Sequence, residues 1–153
     1  MNQVAQLPVS QATGEIHVLT TPADLRTQAV VNCLTANGPI AAGTKVVSSA
    51  CQGSSAQVWT APGDGSLHMG NYCLDDFYGN GAGTQQQLWP CTKNPNQKWT
   101  YNTLGYLAIG VNGLCLGAEG NNPANGTKVG LEDCGYKKAT PTNPSGQIWT
   151  LPT

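Results

Sequence analysis

The chain has 153 residues, 39% hydrophobic and 10% charged, with a formal net charge of -1. Its length fits one domain, no apolar run is long enough to cross a bilayer, and low charge together with four Trp and five Tyr excludes a chain that stays disordered. Seven Lys plus Arg against eight Asp plus Glu, dispersed along the sequence, form no basic stripe, so nucleic acid is not an expected partner.

With 19 Gly and 10 Pro the chain reads as short strands joined by turns. Residues 1–14 form a polar N-terminal extension, the first twelve of them expected to be poorly ordered; Glu15 to Leu19 alternates and supplies an opening strand. A first unit then runs through Cys33-Leu34, Gly43-Thr44 and Gln57-Val58-Trp59. The middle unit has a strand at Tyr72-Cys73-Leu74 and a turn-rich stretch from Asp75 to Gly83. An alternating segment from Gln85 to Trp89 follows, and the turn Asn94-Pro95-Asn96 leads into Gln97 to Tyr101. The third unit repeats the marks at Cys115-Leu116, Gly126-Thr127 and Gln147-Ile148-Trp149, with an insertion from Gly135 to Gly146 read as a surface loop. Four markers in fixed order, three times, near a forty-residue spacing, define a repeat whose single unit has no partner for its own apolar face; the expectation is a closed all-β body of about twelve strands.

No Cys-x-x-Cys pair occurs, so zinc and thioredoxin-like readings fail. Cys33 and Cys51 are eighteen apart, as are Cys73 and Cys91, while Cys115 and Cys134 are nineteen apart. The spacing pairs them 33–51, 73–91 and 115–134, each bridge closing a loop worth roughly 3 kcal/mol of denatured-state entropy. Three staples belong to an oxidising compartment, so the protein is expected to be secreted. Met1-Asn2-Gln3-Val4 opens with neither a basic nor an apolar leader region, which leaves cleavage of a leader and non-classical export both open.

Three Q-x-W repeats, each with a Cys-Leu strand and an intra-repeat cysteine pair, resemble the ricin B-type lectin β-trefoil, also classed as family 13 carbohydrate-binding modules. The resemblance implies one β-trefoil domain over 15–153, with repeats at about 15–69, 70–110 and 111–153, that binds sugars without being an enzyme and without a cofactor. A neutral hexose offers ring hydroxyls and one apolar face of C–H groups, so its site needs an acceptor carboxylate, an aromatic plate and amides. The middle repeat has these types at Asp75, Gln87, Trp89, Asn96 and Gln97. By similarity to galactose-binding members, Asp75 is expected to accept from two adjacent hydroxyls, Trp89 to stack on the C–H face and Asn96 to bridge a hydroxyl. Gln97 would divide its duty with the turn, and Gln87 would orient or touch the rim. Asp76, Phe77 and Tyr78 are candidate secondary contacts; Asp76 stands where the family usually has an apolar residue.

The other repeats lack the set. Thr35, Ser49 and Ala56 occupy the aspartate, tryptophan and asparagine positions of the first, and Gly117, Glu132 and Gly146 those of the third, so both are expected to be dead, the third with its insertion across the groove. Trp59, Trp99 and Trp149 are expected in the core. His17 and His68 have no partner at an informative spacing, so no metal site is expected, and Asn125-Gly126-Thr127 is the single N-glycosylation sequon. The leading expectation is a lectin for galactose- or N-acetylgalactosamine-terminated glycans or glycoproteins, without membrane insertion, for which homo-oligomers would supply avidity. The alternatives are a module for xylan or another polysaccharide, and a β-trefoil protease inhibitor or protein-binding effector.

Overall fold

In the computed structural model, which describes residues 6–19, 32–121, 124–138 and 145–152, Trp59, Trp99 and Trp149 are all but fully buried. Each indole N–H donates to the carbonyl of the leucine that follows the first cysteine of its own repeat: Leu34 at 3.0 Å, Leu74 at 3.2 Å and Leu116 at 2.9 Å. An indole buried without an acceptor would leave a polar group stranded, so Cys-Leu and Q-x-W are two halves of one contact.

The strands are β1 (Leu7–Pro8), β2 (Ala12–Gly14), β3 (His17–Val18), β4 (Asn32–Ala36), β5 (Val46–Ala50), β6 (Trp59–Ala61) and β7 (His68–Met69). They continue with β8 (Tyr72–Asp75), β9 (Gln87–Pro90), β10 (Trp99–Tyr101), β11 (Leu107–Ile109), β12 (Cys115–Ala118), β13 (Val129–Glu132) and β14 (Trp149–Thr150). Three antiparallel sheets follow one plan. The Q-x-W strand of one repeat pairs with the opening strand of the next, which pairs with the Cys-Leu strand, which pairs with its hairpin partner. This gives the orders β14-β3-β4-β5, β6-β7-β8-β9 and β10-β11-β12-β13. Pairing of Trp149 with Val18 joins the two ends of the chain and completes the β-trefoil.

The Gly-Thr marks lock the repeats to one another. Gly43 donates its N–H to Leu88 O, Gly83 to Leu131 O and Gly126 to Ser48 O, each at 2.7 Å, so the first repeat grips the second, the second the third and the third the first. All three glycines have φ between +82° and +89°, a conformation that costs an L-residue roughly 1–2 kcal/mol. The sequence therefore repeats glycine at a point where the chain turns back to meet its neighbour.

Among the described residues the larger buried cluster holds the three tryptophans, Leu34, Leu74 and Leu116, and a smaller one gathers Tyr106, Ala108, Cys115 and Cys134. The cysteines pair 33–51, 73–91 and 115–134, one bridge within each repeat, as their spacing implies.

Residues 6–14 differ from the expected extension. β1 pairs with β10 through Leu7 and Tyr101, β2 pairs with β6 through Ala12 and Ala61, and Val9 between them is buried. Short as they are, these strands cover edges of two sheets and bury apolar surface, which a count of polar residues did not reveal. Residues 1–5 lie outside the described set.

Candidate functional site

Side chains alternate across a strand, so in β8 Leu74 faces the core while Cys73 and Asp75 face the other way; in β9 Leu88 faces the core while Gln87 and Trp89 do not. The register sets Asp75 opposite Gln87 and Cys73 opposite Trp89. The Cys73–Cys91 bridge ties β8 to the end of β9, and the 3-10 turn Pro95–Gln97 brings two more amides to the same place.

Asp75 is the hub. Gln87 Nε2 donates to its Oδ2 at 3.0 Å, while Asn96 Nδ2 and Gln97 Nε2 both donate to Oδ1 at 3.0 Å. An ionised carboxylate offers about four acceptor directions, so three internal donors leave about one for a ligand hydroxyl. Asp75 is 2% exposed, whereas Trp89 beside it is 43% exposed, an unusual position for so large an apolar side chain. The site thus presents a rigidly held acceptor edge next to an open aromatic face, with Asn96 half-buried at its margin.

Gln97 also has a structural duty that all three repeats share. Its Oε1 accepts from Thr92 N–H at 2.6 Å and its Nε2 donates to Pro90 O at 3.1 Å. Gln57 makes the same bonds with Gln52 N–H and Ala50 O, and Gln147 with Gly135 N–H and Asp133 O. Each glutamine keeps one amide hydrogen for the position two residues past the first cysteine. In the first repeat that partner is Thr35 Oγ1 at 3.1 Å; in the middle repeat it is Asp75.

In the third repeat the partner comes from another strand. Gly117 has no side chain to offer, and Gln147 Nε2 donates instead to Glu132 Oε2 at 3.0 Å. A Cβ on Gly117 would lie 3.0 Å from that same oxygen, so Glu132 occupies the space an aspartate would fill. Glu132 stands at the tryptophan position of the repeat, and the register agrees, pairing it with Cys115 as Trp89 pairs with Cys73. Its long side chain, however, reaches diagonally to the aspartate position. The glycine at 117 together with an acid at 132 was the available signal. Gly135–Lys137 and Ser145–Gln147 form 3-10 turns at the two ends of the expected loop, and residues 139–144 between them lie outside the described set.

The candidate secondary contacts separate. Asp76, just past the end of β8, is fully buried and so is not open to a ligand as a candidate secondary contact would be; Gln86 Nε2 donates to its Oδ1 at 3.3 Å and its Oδ2 has no partner. Burial, and secondarily the charge of Asp75, push its carboxyl up to about 6, with the Gln86 bond opposing. Phe77 and Tyr78 are exposed, 4.4 Å apart edge to face on the turn Phe77–Gly79, where Tyr78 has φ of +52°. Lys45 of the first repeat reaches this margin: its Nζ donates to Gln87 Oε1 at 3.2 Å and lies 5.3 Å from the centre of the Phe77 ring.

His68 is less isolated than its sequence context indicated: Nε2 lies 2.7 Å from Ser66 Oγ and Nδ1 3.5 Å from Cys91 Sγ. His17 contacts Glu15 Oε1 at 3.4 Å. Each histidine lies beside a disulfide, whose sulfurs are not the thiolates that bind metal. Asn125 is exposed in a turn.

The family of the ricin-type β-trefoil lectin domain matches residues 21–141. A probable α-galactosidase A of Aspergillus fumigatus is 29% identical over 125 residues, 80% of this chain but 19% of that protein, so the chain spans about a fifth of the relative it matches. Among solved structures, the designed threefold-symmetric protein ThreeFoil superposes with a TM-score of 0.74 at 18% identity, covering 92% of this chain and 98% of that one. The β-trefoil lectin of the Vibrio vulnificus hemolysin/cytolysin, with N-acetyl-D-lactosamine bound, superposes at 0.64 with 23% identity, covering 95% of this chain and 96% of that one. With the family match extending over most of the chain and the threefold repeat built as described, the chain belongs to the ricin-type β-trefoil lectin domain family.

Proposed function

We propose that this carbohydrate-binding domain recognises galactose or N-acetylgalactosamine at the ends of glycans, through one site in the middle repeat. The observation that carries the reading is the Asp75 carboxylate, fixed by Gln87, Asn96 and Gln97, beside the open face of Trp89. A galactose ring stacks its C–H face on an indole, and a hydroxyl then donates to the free edge of Asp75. A charge-assisted hydrogen bond of this kind contributes roughly 1.5–3 kcal/mol before desolvation. A second hydroxyl engages Asp75 where Asn96 or Gln87 gives way to the sugar. Neither the first nor the third repeat has an aromatic side chain at the plate position, where Ser49 and Glu132 stand, so neither competes. The bound sugar of the Vibrio lectin is a disaccharide ending in galactose, which supports the reading.

A lone shallow site holds a monosaccharide near the millimolar level, about -4 kcal/mol. Useful avidity then comes from clustered glycans or from self-association. The three disulfides fit a secreted protein. The domain itself needs no catalysis.

A second reading has its own observation. The Aspergillus relatives are named as α-galactosidases and this chain matches 19% of their length, which supports a polysaccharide-directed module that acts beside an enzyme. Calorimetric titration with galactose, with and without Trp89→Ala, against a pull-down on insoluble xylan separates the two. Galactose binding lost in the variant supports the first, and xylan retention without galactose binding overturns it.

A further inference from the structure

Lys45 of the first repeat brings a cation to the middle repeat's site. It faces Gln87 across an isolated bridge between the two repeats, and its Nζ donates to Gln87 Oε1 at 3.2 Å. The Nε2 of that same amide holds Asp75 Oδ2 at 3.0 Å, so a single amide group separates the ammonium from the acceptor carboxylate. The ring of Phe77, its centre 5.3 Å from Nζ, holds the ammonium at this margin. Among the described residues ion pairs join His17 to Glu15 and Lys98 to Asp64, and none takes Lys45.

An ammonium has three N–H donors, and one amide oxygen and one ring leave at least one of them for a ligand. Lys45 is exposed, so that donor opens to the surface. A neutral oxygen and an aromatic face orient the ammonium without neutralising it; an anion does both.

The placement is particular to this repeat. The equivalent bridge to the third repeat sets Gln85, which carries no charge, against Gly130. The equivalent bridge to the first sets Lys128 against Val47, where Thr35 and Ser49 offer neither carboxylate nor plate. Of the three positions, the middle one joins a cation to the pair Asp75 and Trp89.

The chemistry of the sugar says where an anion can ride. Galactose and N-acetylgalactosamine share one pair of adjacent ring hydroxyls, on carbons 3 and 4, because carbon 2 of the second bears an acetamido group. With that pair turned to Asp75 and carbon 1 linked to the rest of the glycan, carbon 6 is the position left for a substituent. The geometry points to Lys45 as a specificity-determining residue that favours such a sugar with an anion on carbon 6, a sulfate ester or a carboxylate. This rests on the galactose reading of the site. Asp75 repels the same anion, which keeps the preference modest.

Calorimetric titration of the full chain compares methyl β-galactoside with its 6-sulfate, its 3-sulfate and methyl β-galacturonoside. At low salt the 6-sulfate or the galacturonoside is expected to bind about threefold to fivefold more tightly than the neutral glycoside, as one exposed charge pair allows. Whichever gains identifies the source of the anion. The 3-sulfate has lost a donor to Asp75 and is expected to bind more weakly than the neutral glycoside. The gain should shrink in about 0.5 M sodium chloride, vanish in Lys45→Gln and persist in Lys45→Arg. Equal affinity for the neutral glycoside and both carbon-6 anions overturns the inference while leaving the galactose reading standing. So does a gain that survives Lys45→Gln, or one that the 3-sulfate matches. Binding of none of the four overturns both.

Discussion

Glu132 fills the space that Gly117 leaves: a Cβ on the glycine would lie 3.0 Å from Glu132 Oε2, and that oxygen takes the Gln147 amide bond which Asp75 takes from Gln97 in the middle repeat. One fold thus satisfies the same glutamine with a carboxylate from either strand of the hairpin. With Glu132 drawn inward, the third repeat has a carboxylate but no plate.

Restoring the middle-repeat pattern there is expected to add a site. Gly117→Asp with Glu132→Trp and Gly146→Asn returns the acceptor, the plate and the bridging amide to their positions. Calorimetric stoichiometry for galactose should rise from one to two. Gly117→Asp alone crowds Glu132 with a like charge and should lower stability by about 1–3 kcal/mol in urea melts.

Trp89→Ala and Asp75→Ala separate binding from folding. Trp89 is half out of the protein, so its loss should cost about tenfold or more in galactose affinity with little change in melting temperature. Asp75→Ala leaves the amides of Gln87, Asn96 and Gln97 without their acceptor, and should lower stability by about 2–3 kcal/mol as well as abolish binding.

Asp76 makes stability depend on pH. Its carboxyl is raised from 3.8 to about 6 in the folded chain, so between those values the native state holds more protons than the unfolded one. Stability from this group is fully present below about pH 4 and is lost as pH rises through about 6, to a limit of about 3 kcal/mol. Asp76→Asn supplies a permanent donor in a side-chain pair whose Asp76 Oδ2 and Gln86 Oε1 both lack one. Its stability advantage over the natural chain, measured in urea melts from pH 4 to 7, should grow across that window.

Trp99→Phe deletes the donor to Leu74 O while keeping an aromatic ring in the core. The stranded carbonyl and the lost volume should cost about 2–4 kcal/mol in denaturant. The parallel changes at Trp59 and Trp149 should cost about as much, because the same bond recurs in each repeat.

The trefoil was legible because its contacts are made by residues that repeat: the indole needs the leucine carbonyl, the Gly-Thr turn needs glycine, and the cysteines sit at matched spacing. That Asp75, Gln87, Trp89, Asn96 and Gln97 come together was legible for the same reason, each standing at a fixed offset from a cysteine or a Q-x-W. What was hidden depends on direction and depth. Asp76 reads as a neighbour of Asp75, yet it is wholly buried and paired with Gln86 rather than with the amides around Asp75. Glu132 reads as a lost tryptophan, yet its length carries it to another position. Leu7–Pro8 and Ala12–Gly14 are too short and irregular to show a period, and they gain their place only from the sheet edges they meet.

The proposed galactose site is single and is built on Asp75 and Trp89. An NMR titration of the ¹⁵N-labelled protein with galactose tests it most directly, since four indole and many side-chain amide signals report at once. The prediction is saturable shifts at the Trp89 indole and the Gln87, Asn96 and Gln97 amides, with Trp59, Trp99 and Trp149 unmoved. Saturable shifts at the Gln57 or Gln147 amides in their place, or none at galactose concentrations well above the millimolar range, would contradict it.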